Sequence, residues 1–257
     1  MASQRKTWNV KFLHGNKPTT ECRYGLVILN QPFSLALLRR LWNSTQWHCC
    51  ADGGANHLYD SFPDEQDRAS HLPDLIKGDL DSLRADVREY YAALDVPVVQ
   101  DDDQDSTDLM KCVSSLRTKE AAEDLEYTII LLGGLSGRLD QTIHTLSYLH
   151  KLRKERKQVF AITDDNIGWV LDEGEHEIEI EHDIMGQTCG ILPVGIDSTV
   201  LSTSGLRWNL ENQLSSFDGL ISTSNHLVPE EKTVRIRTSK PVWWTAELKN
   251  ISHDARQ

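Results

Sequence analysis

Two patterns in succession predict an α/β domain built on a parallel sheet, followed by a C-terminal antiparallel β-sandwich domain. From Tyr24 to about Thr163, short unbroken apolar runs alternate with segments of helical periodicity, as expected of strands buried on both faces. After about Ile167 the apolar segments become short and closely spaced, in part alternating with polar residues, which is the pattern of sandwiches and barrels. Polar clusters follow several of the apolar runs, which puts the chemistry at the carboxyl edge of the predicted sheet.

The parallel strands are read, in order, as Tyr24–Leu29, Trp47–Ala51, Leu75–Lys77, Val96–Val99, Thr128–Leu132 and Val159–Ile162. After the fourth, Leu109, Cys112, Val113 and Leu116 fall at i, i+3, i+4 and i+7 and mark one helix; after the fifth, Leu139, Ile143, Leu146 and Leu149 mark another. Both stripes are expected in the core. The second domain is expected to start near Asn166, with strands at Glu175–Glu181, Gly190–Val194, Thr199–Thr203, Gly219–Thr223, Thr233–Thr238 and Val242–Leu248. Trp243 and Trp244 lie in an apolar strand and are expected in core or interface.

Composition narrows the function. The chain has 257 residues, with Lys+Arg 27 against Asp+Glu 39 and a net charge of -12. That balance argues against a nucleic-acid binder, which needs a broad basic face. The five cysteines are odd in number and lack C-x-x-C spacing, so neither a zinc site nor a disulfide framework is expected. Free thiols fit a reducing compartment. Residues 1–17 are polar and no eighteen apolar residues run together, so the expectation is a cytoplasmic protein that does not enter membranes.

Four clusters carry the chemistry: Asp52-Gly53-Gly54-Ala55-Asn56, Gly78-Asp79-Leu80-Asp81-Ser82, Gln104-Asp105-Ser106-Thr107-Asp108, and Gly133 to Gln141. Carboxylates at strand ends suit Mg²⁺, which takes hard oxygen ligands and commonly shares them with substrate phosphates. Asp108 is placed to converge with Asp79 and Asp81. Asp105 shares its helix face and also suits a cap. The Gly53-Gly54 and Gly133-Gly134 pairs permit close approach of backbone to phosphate ahead of a helix N-terminus; they equally suit tight strand-to-helix turns. Arg138 is the cation suited to phosphate, or else the partner of Asp140 in a surface ion pair. Neither a Walker sequence nor G-x-G-x-x-G occurs, which disfavours a P-loop NTPase and an ordinary Rossmann dehydrogenase.

The second domain offers an aromatic plane at Trp208 and hydroxyl and amide groups at Ser222, Thr223, Ser224 and Asn225. Together they suit a flat, cationic heteroaromatic ligand. Composition alone favours a core tryptophan and a polar turn.

These segments, in this order, resemble the eukaryotic thiamine pyrophosphokinase family from about Gly25 to Leu248. The resemblance implies transfer of the pyrophosphoryl group of ATP to the hydroxyl of thiamine, giving thiamine diphosphate and AMP, with Mg²⁺ as cofactor. It implies that Asp79, Asp81 and Asp108 bind the metal, and that Gln104, Arg138 and Asp140 lie around phosphates and thiamine. Asp52, Gly53, Gly54, Asn56, Ser136, Gly137 and Gln141 fall within the matching motifs. Trp208 and Ser222 to Asn225 would recognise thiamine from the partner subunit of a homodimer whose active sites lie between subunits. On this basis residues 1–21 are a polar extension, 22–165 the ATP- and Mg²⁺-binding catalytic domain, 166–250 the thiamine-binding and dimerisation sandwich, and 251–257 a tail. The family often has an aromatic residue where this chain has Leu80 and glycine where it has Ser136.

The expected mechanism is in-line attack on the β-phosphorus, with Asp108 or Asp140 as candidates to accept the hydroxyl proton. Two rivals remain at this stage: a non-catalytic thiamine- or nucleotide-binding protein on the same scaffold, and a kinase that transfers only the γ-phosphate.

Overall fold

In a computed structural model that describes residues 5–17 and 22–249, the chain divides into two units. The anticipated tail, 251–257, and Asn250 lie outside the described residues. The segment before Tyr24, for which no element was expected, contains a strand, β1 (Lys6–Trp8).

One unit comprises Phe12–Gly137 and Ala161–Thr163. Its elements in chain order are β2 (Tyr24–Ile28), α1 (Leu35–Ser44), β3 (Trp47–Ala51), α2 (Gly54–Ser61), α3 (Glu65–Ala69), β4 (Leu75–Gly78), α4 (Ala85–Ala93), β5 (Val98–Gln100), α5 (Asp108–Glu123) and β6 (Thr128–Leu132). The strands pair in parallel in the order β6-β2-β3-β4-β5, with Ile28 opposite both Leu132 and Cys50, and Ile76 opposite Val98. Leu26, Val27, Ile28 and Ile129 to Leu132 are fully buried, as unbroken apolar runs require. Helix α5 packs against β2, β3 and β4 through Leu109, Cys112, Val113 and Leu116, the predicted stripe. Thr107 caps it, its side chain accepting from the Met110 N–H, so the helix starts at Asp108 and Asp105 stays outside it. The fourth strand begins two residues later than expected. Asp95 turns the chain at φ 59°, and the Val96 N–H caps α4 by donating to the Tyr91 carbonyl.

The other unit comprises the chain up to Lys11, Arg138–Phe160, and the chain from Asp164 onward. It holds β1, α6 (Leu139–Leu152), the first half of β7 (Val159–Ile162), β8 (Asn166–Leu171), β9 (Gly174–Glu179), β10 (Met185–Leu192), β11 (Ser198–Ser204), β12 (Gln213–Ser216), β13 (Ser222–His226), β14 (Thr233–Thr238) and β15 (Val242–Leu248). One sheet runs β1-β9-β14-β11-β12 and a second includes β13-β10-β15-β8. Along β14, buried Val234, Ile236 and Thr238 alternate with exposed Arg235 and Arg237, the period-two pattern of a sheet with one wet face. The core is aromatic: the Trp8 and Trp169 rings stack at 5.7 Å, and Phe160 meets Trp169 edge-on at 5.1 Å. Trp243 and Trp244 are buried, as expected.

Three expectations need correction. Leu139 and Ile143 are 74% and 54% exposed, because α6 buries Thr145, Leu149 and Leu152 and docks by its C-terminal half. Trp208 is 51% exposed rather than core. Ser222 to Asn225 form strand β13 rather than a turn, pairing antiparallel with β10. The turn lies before it, where the Gly219 N–H bonds the Ser216 carbonyl. Among the described residues, no helix is long and apolar enough to cross a membrane.

Candidate functional site

The parallel strands of the first unit end in the polar clusters, and their register decides which side chains meet. Asp52 follows β3, Asp79 follows β4, and Asp108 opens α5 after β5. One carboxylate oxygen from each lies within 4.8 Å of the others. Gly78 makes this possible: a Cβ there would come within 2.7 Å of Asp52 Cβ and 2.9 Å of Asp108 Oδ1.

The cluster is tied together by backbone donors. The Asp79 N–H donates to Asp108 Oδ1 at 3.2 Å, and the Ser82 N–H donates to Asp52 Oδ2 at 3.2 Å. Asp79 Oδ1 in turn accepts from the Asp81 N–H at 3.2 Å. This closes a tight turn through Leu80, whose φ of 64° is unusual for a branched residue and stores about 1–3 kcal/mol of strain. Asn56 braces the same turn, donating to the Ser82 carbonyl at 2.8 Å and accepting from the Arg84 N–H at 3.1 Å.

Electrostatics favour a cation here. Burial raises the Asp52 carboxyl above its usual range, and the charge of Asp108 adds to this against N–H bonds from Gly53 and Ser82. Asp108 is raised by burial first and then by the charge of Asp79. Asp52 Oδ1 is buried and has no hydrogen-bond partner. Crowded carboxylates with an unsatisfied inward oxygen fit a divalent ion that takes oxygen ligands.

Asp81 stands apart from this group. It is exposed and bonds the Ser82 hydroxyl at 2.9 Å, whereas Asp52 supplies the third oxygen of the cluster. Sequence reading also passed over Lys111. Its side chain is 3% exposed and its ammonium lies 3.4 Å from Asp108 Oδ1. A lysine one residue before Cys112 on the buried stripe of α5 was the available signal. Lys77 similarly pairs with Asp101 at 3.1 Å.

The remaining residues of the first unit have plainer settings. Gly53 caps α2 and Gly54 opens it; a Cβ on Gly54 would collide with the Ile28 carbonyl oxygen, so this glycine is required by packing on β2. Gln104 is exposed and bonds the Asp102 carbonyl at 3.3 Å. Asp101 and Asp103 form a ladder of turns that runs to Asp105, each of the two side chains accepting from the N–H two residues on, at 3.2 Å for Asp101 and 3.0 Å for Asp103. Ser136 and Gly137 are exposed in the loop after β6.

In the second unit, Arg138 and Asp140 form a bidentate pair at the head of α6, with a closest approach of 2.6 Å and 74% and 65% of their side chains exposed. The surface ion-pair reading therefore describes their setting in the isolated chain. Gln141 is exposed one residue on. Trp208 is held by its backbone: Asn225 Oδ1 accepts its N–H at 3.2 Å and Asn225 Nδ2 donates to its carbonyl at 2.9 Å. Asn225 and Ser222 are buried, while Thr223 and Ser224 face solvent. The residue is half exposed, with the His226 ring at 4.9 Å and the Arg207 guanidinium at 4.9 Å from the Trp208 ring.

Comparison with known proteins decides the family. Residues 38–161 match the model of the thiamin pyrophosphokinase catalytic domain, and residues 175–243 match that of the thiamin pyrophosphokinase vitamin B1 binding domain. Thiamine pyrophosphokinase 1 of rice (Oryza sativa subsp. japonica) is 40% identical over 237 residues, covering 88% of each chain. The chain belongs to the thiamin pyrophosphokinase family. The Saccharomyces cerevisiae thiamine pyrophosphokinase is 30% identical, covering 87% of this chain and 85% of its own. The crystal structure of yeast thiamin pyrophosphokinase superposes with a TM-score of 0.86 at 27% identity, over 98% of this chain and 93% of that one. The thiamin pyrophosphokinase of Candida albicans gives 0.83 at 25% identity, over 97% and 95%. The first match ends at residue 161 and the second begins at residue 175.

Proposed function

We propose that this chain transfers the pyrophosphoryl group of ATP to the hydroxyl of thiamine, releasing AMP and thiamine diphosphate. Membership of the family supports the reaction. The observation that carries the chemistry is the convergence of Asp52, Asp79 and Asp108 oxygens within 4.8 Å at the carboxyl ends of parallel strands.

Asp52, Asp79 and Asp108 would hold a divalent ion, with Asp81 on the same turn as a further carboxylate, and Mg²⁺ is the proposed ion. When bound, such an ion neutralises phosphate charge and orients the transferring group. The chain's own contribution is positioning. The Asp79 N–H and Lys111 hold Asp108 from two directions, and Asn56 and Asp52 hold the turn that carries Asp79 and Asp81. Gly53, Gly54, Gln104 and the loop from Gly133 to Gly137 are proposed to receive the nucleotide. Arg138 would exchange Asp140 for phosphate and offset charge as the bond to AMP breaks. Asp140 and Gln141 would then be released toward thiamine.

The thiamine hydroxyl attacks the β-phosphorus in line and loses its proton to a carboxylate, for which Asp108 and Asp140 are the two candidates. Trp208, with Ser222, Thr223, Ser224 and Asn225, is proposed to receive the cationic heterocycle, stacked on the exposed ring. These residues would act from the partner subunit of a homodimer. Leu139, Ile143, Leu214 and Phe217 are exposed apolar side chains that burial in such an assembly would remove from water. Residues 22–165 and 166–250 are proposed as the catalytic and the thiamine-binding, dimerising parts of a cytoplasmic enzyme.

The test is incubation of the purified protein with ATP, Mg²⁺ and thiamine, with chromatographic resolution of nucleotides and thiamine species. Thiamine-dependent AMP with matching thiamine diphosphate is expected. ADP as product would replace this reading with γ-phosphate transfer, and thiamine binding with no product would replace it with a binding protein.

A further inference from the structure

Gln31 lies just beyond β2 and was not among the residues expected to act. Its side chain directs its hydrogen bonds onto one loop more than a hundred residues away in sequence. Nε2 donates to the Ser136 carbonyl at 2.6 Å. Oε1 accepts from the Gly134 N–H at 2.8 Å and from the Ser136 hydroxyl at 3.1 Å. The base of the same loop is held separately, the Gly133 N–H donating to the Ile162 carbonyl at 2.7 Å.

A glycine-rich loop left to itself samples many conformations, and ordering it on ligand binding subtracts from affinity. One carboxamide that bonds a donor and an acceptor two residues apart removes much of that freedom beforehand. The bonds also divide the loop: the Gly134 N–H is engaged by Gln31, so an anion received here is received by groups beyond it. Ser136 adds a hydroxyl to the same acceptor oxygen and so reinforces the tether.

We infer that Gln31 is a positioning residue that presets the Gly133 to Gly137 loop for the phosphates of ATP, acting through Gly134 and Ser136. This deepens the proposed function and rests on the loop being the phosphate receiver. Gln31→Leu removes all three bonds at similar size. Gln31→Glu keeps the acceptor for Gly134 but sets an oxygen against the Ser136 carbonyl, while Ser136→Gly removes the hydroxymethyl group and its bond to Oε1 and keeps the carbonyl.

The experiment measures, for each variant, affinity for a non-hydrolysable ATP analogue with Mg²⁺ by calorimetry, KM for ATP and for thiamine, and hydrogen exchange at the Gly134 amide. In Gln31→Leu and Gln31→Glu, analogue affinity is expected to fall about tenfold and KM for ATP to rise in step, with KM for thiamine within about twofold. Ser136→Gly should cost about threefold, and the Gln31→Leu/Ser136→Gly pair less than the product of the two because they share Oε1. Gly134 exchange should speed in Gln31→Leu while β6 stays protected. Unchanged analogue affinity in a folded Gln31→Leu, or equal rises in both KM values, would overturn the inference. Should the wild type make no thiamine-dependent AMP, the proposed reaction fails by itself, and analogue affinity with Gly134 exchange still decides the tether.

Discussion

The Asp79 N–H donates to Asp108 Oδ1 across 3.2 Å, joining a residue after β4 to the first residue of α5. That single bond makes the carboxylate-bearing turn and the helix N-terminus one mechanical piece. It also leaves Asp108 held from two sides, since Lys111 approaches the same oxygen.

Charge removal should separate the carboxylates. Asp79→Asn and Asp52→Asn are expected to lower AMP production by more than about 100-fold, with Tm in EDTA unchanged or raised, because Asp52 is a buried charge under repulsion. Asp81→Asn, at an exposed position outside the 4.8 Å cluster, should lose less. Near-normal turnover in a folded Asp79→Asn protein would remove the cluster from the mechanism.

Lys111→Met should destabilise the chain by about 1–3 kcal/mol, because it leaves Asp108 facing other carboxylates without its buried partner. Adding Asp108→Asn should restore part of that loss. Urea unfolding of the two single variants and the double variant gives the coupling, and simple additivity would show that the pair does not interact.

Trp208→Ala should weaken thiamine binding by about 3–30-fold, the range of a cation over an aromatic face, without lowering Tm. Its ring is half exposed, so little core packing is lost. Asn225→Ala is expected to do both, because its amide bonds Trp208 through two atoms in a buried setting. Thiamine titration beside thermal melts distinguishes the two residues, and unchanged affinity in Trp208→Ala would exclude the ring from the site.

Acid should destabilise the sandwich through His176. Its Nδ1 accepts from the Trp8 indole at 3.1 Å and its Nε2 faces the Asp172 carbonyl at 2.8 Å, a pairing that only the neutral Nε2–H tautomer satisfies. Burial first, and then the charge of Lys6, hold its pKa below the ordinary value of 6.5, against opposing effects of Asp172. The unfolded chain therefore binds the proton first. Stability from this group is complete above about pH 6.5 and declines as pH falls below it. His57, His144 and His150 are also lowered by burial and add to the slope. The urea midpoint should drop between pH 7 and 5.5, and less so in His176→Gln; equal slopes would refute the assignment.

Much of the fold was legible because burial on both faces leaves an unbroken apolar run. Trp47–Ala51, Thr128–Leu132 and Val242–Leu248 match residue for residue, as does Thr233–Thr238, whose signal is instead the alternation of a strand with one wet face. Strands escaped notice where such a run is missing, or where one strand follows another without an intervening helix. Gln213–Ser216 is mostly polar, Lys6–Trp8 is three residues long and is held by parallel pairing with β9, and Asn166–Leu171 follows closely on β7. Composition alone favours a core setting for Trp208; its exposure goes with a backbone clamp by Asn225 that composition does not express.

The sequence by itself determined the two-part architecture and the family, and it singled out the segments proposed to carry chemistry, because periodicity and ordered motifs are properties of residue order. Only the tertiary structure decided which carboxylates meet. Asp79 and Asp81 are neighbours in sequence, yet the oxygen that completes the cluster comes from Asp52. The pairing of β3 with β4 sets that distance, and Gly78, by having no side chain, leaves the room. Linear spacing carries no record of either. The same holds for Gln31, whose role is written in a contact across 105 residues rather than in any motif.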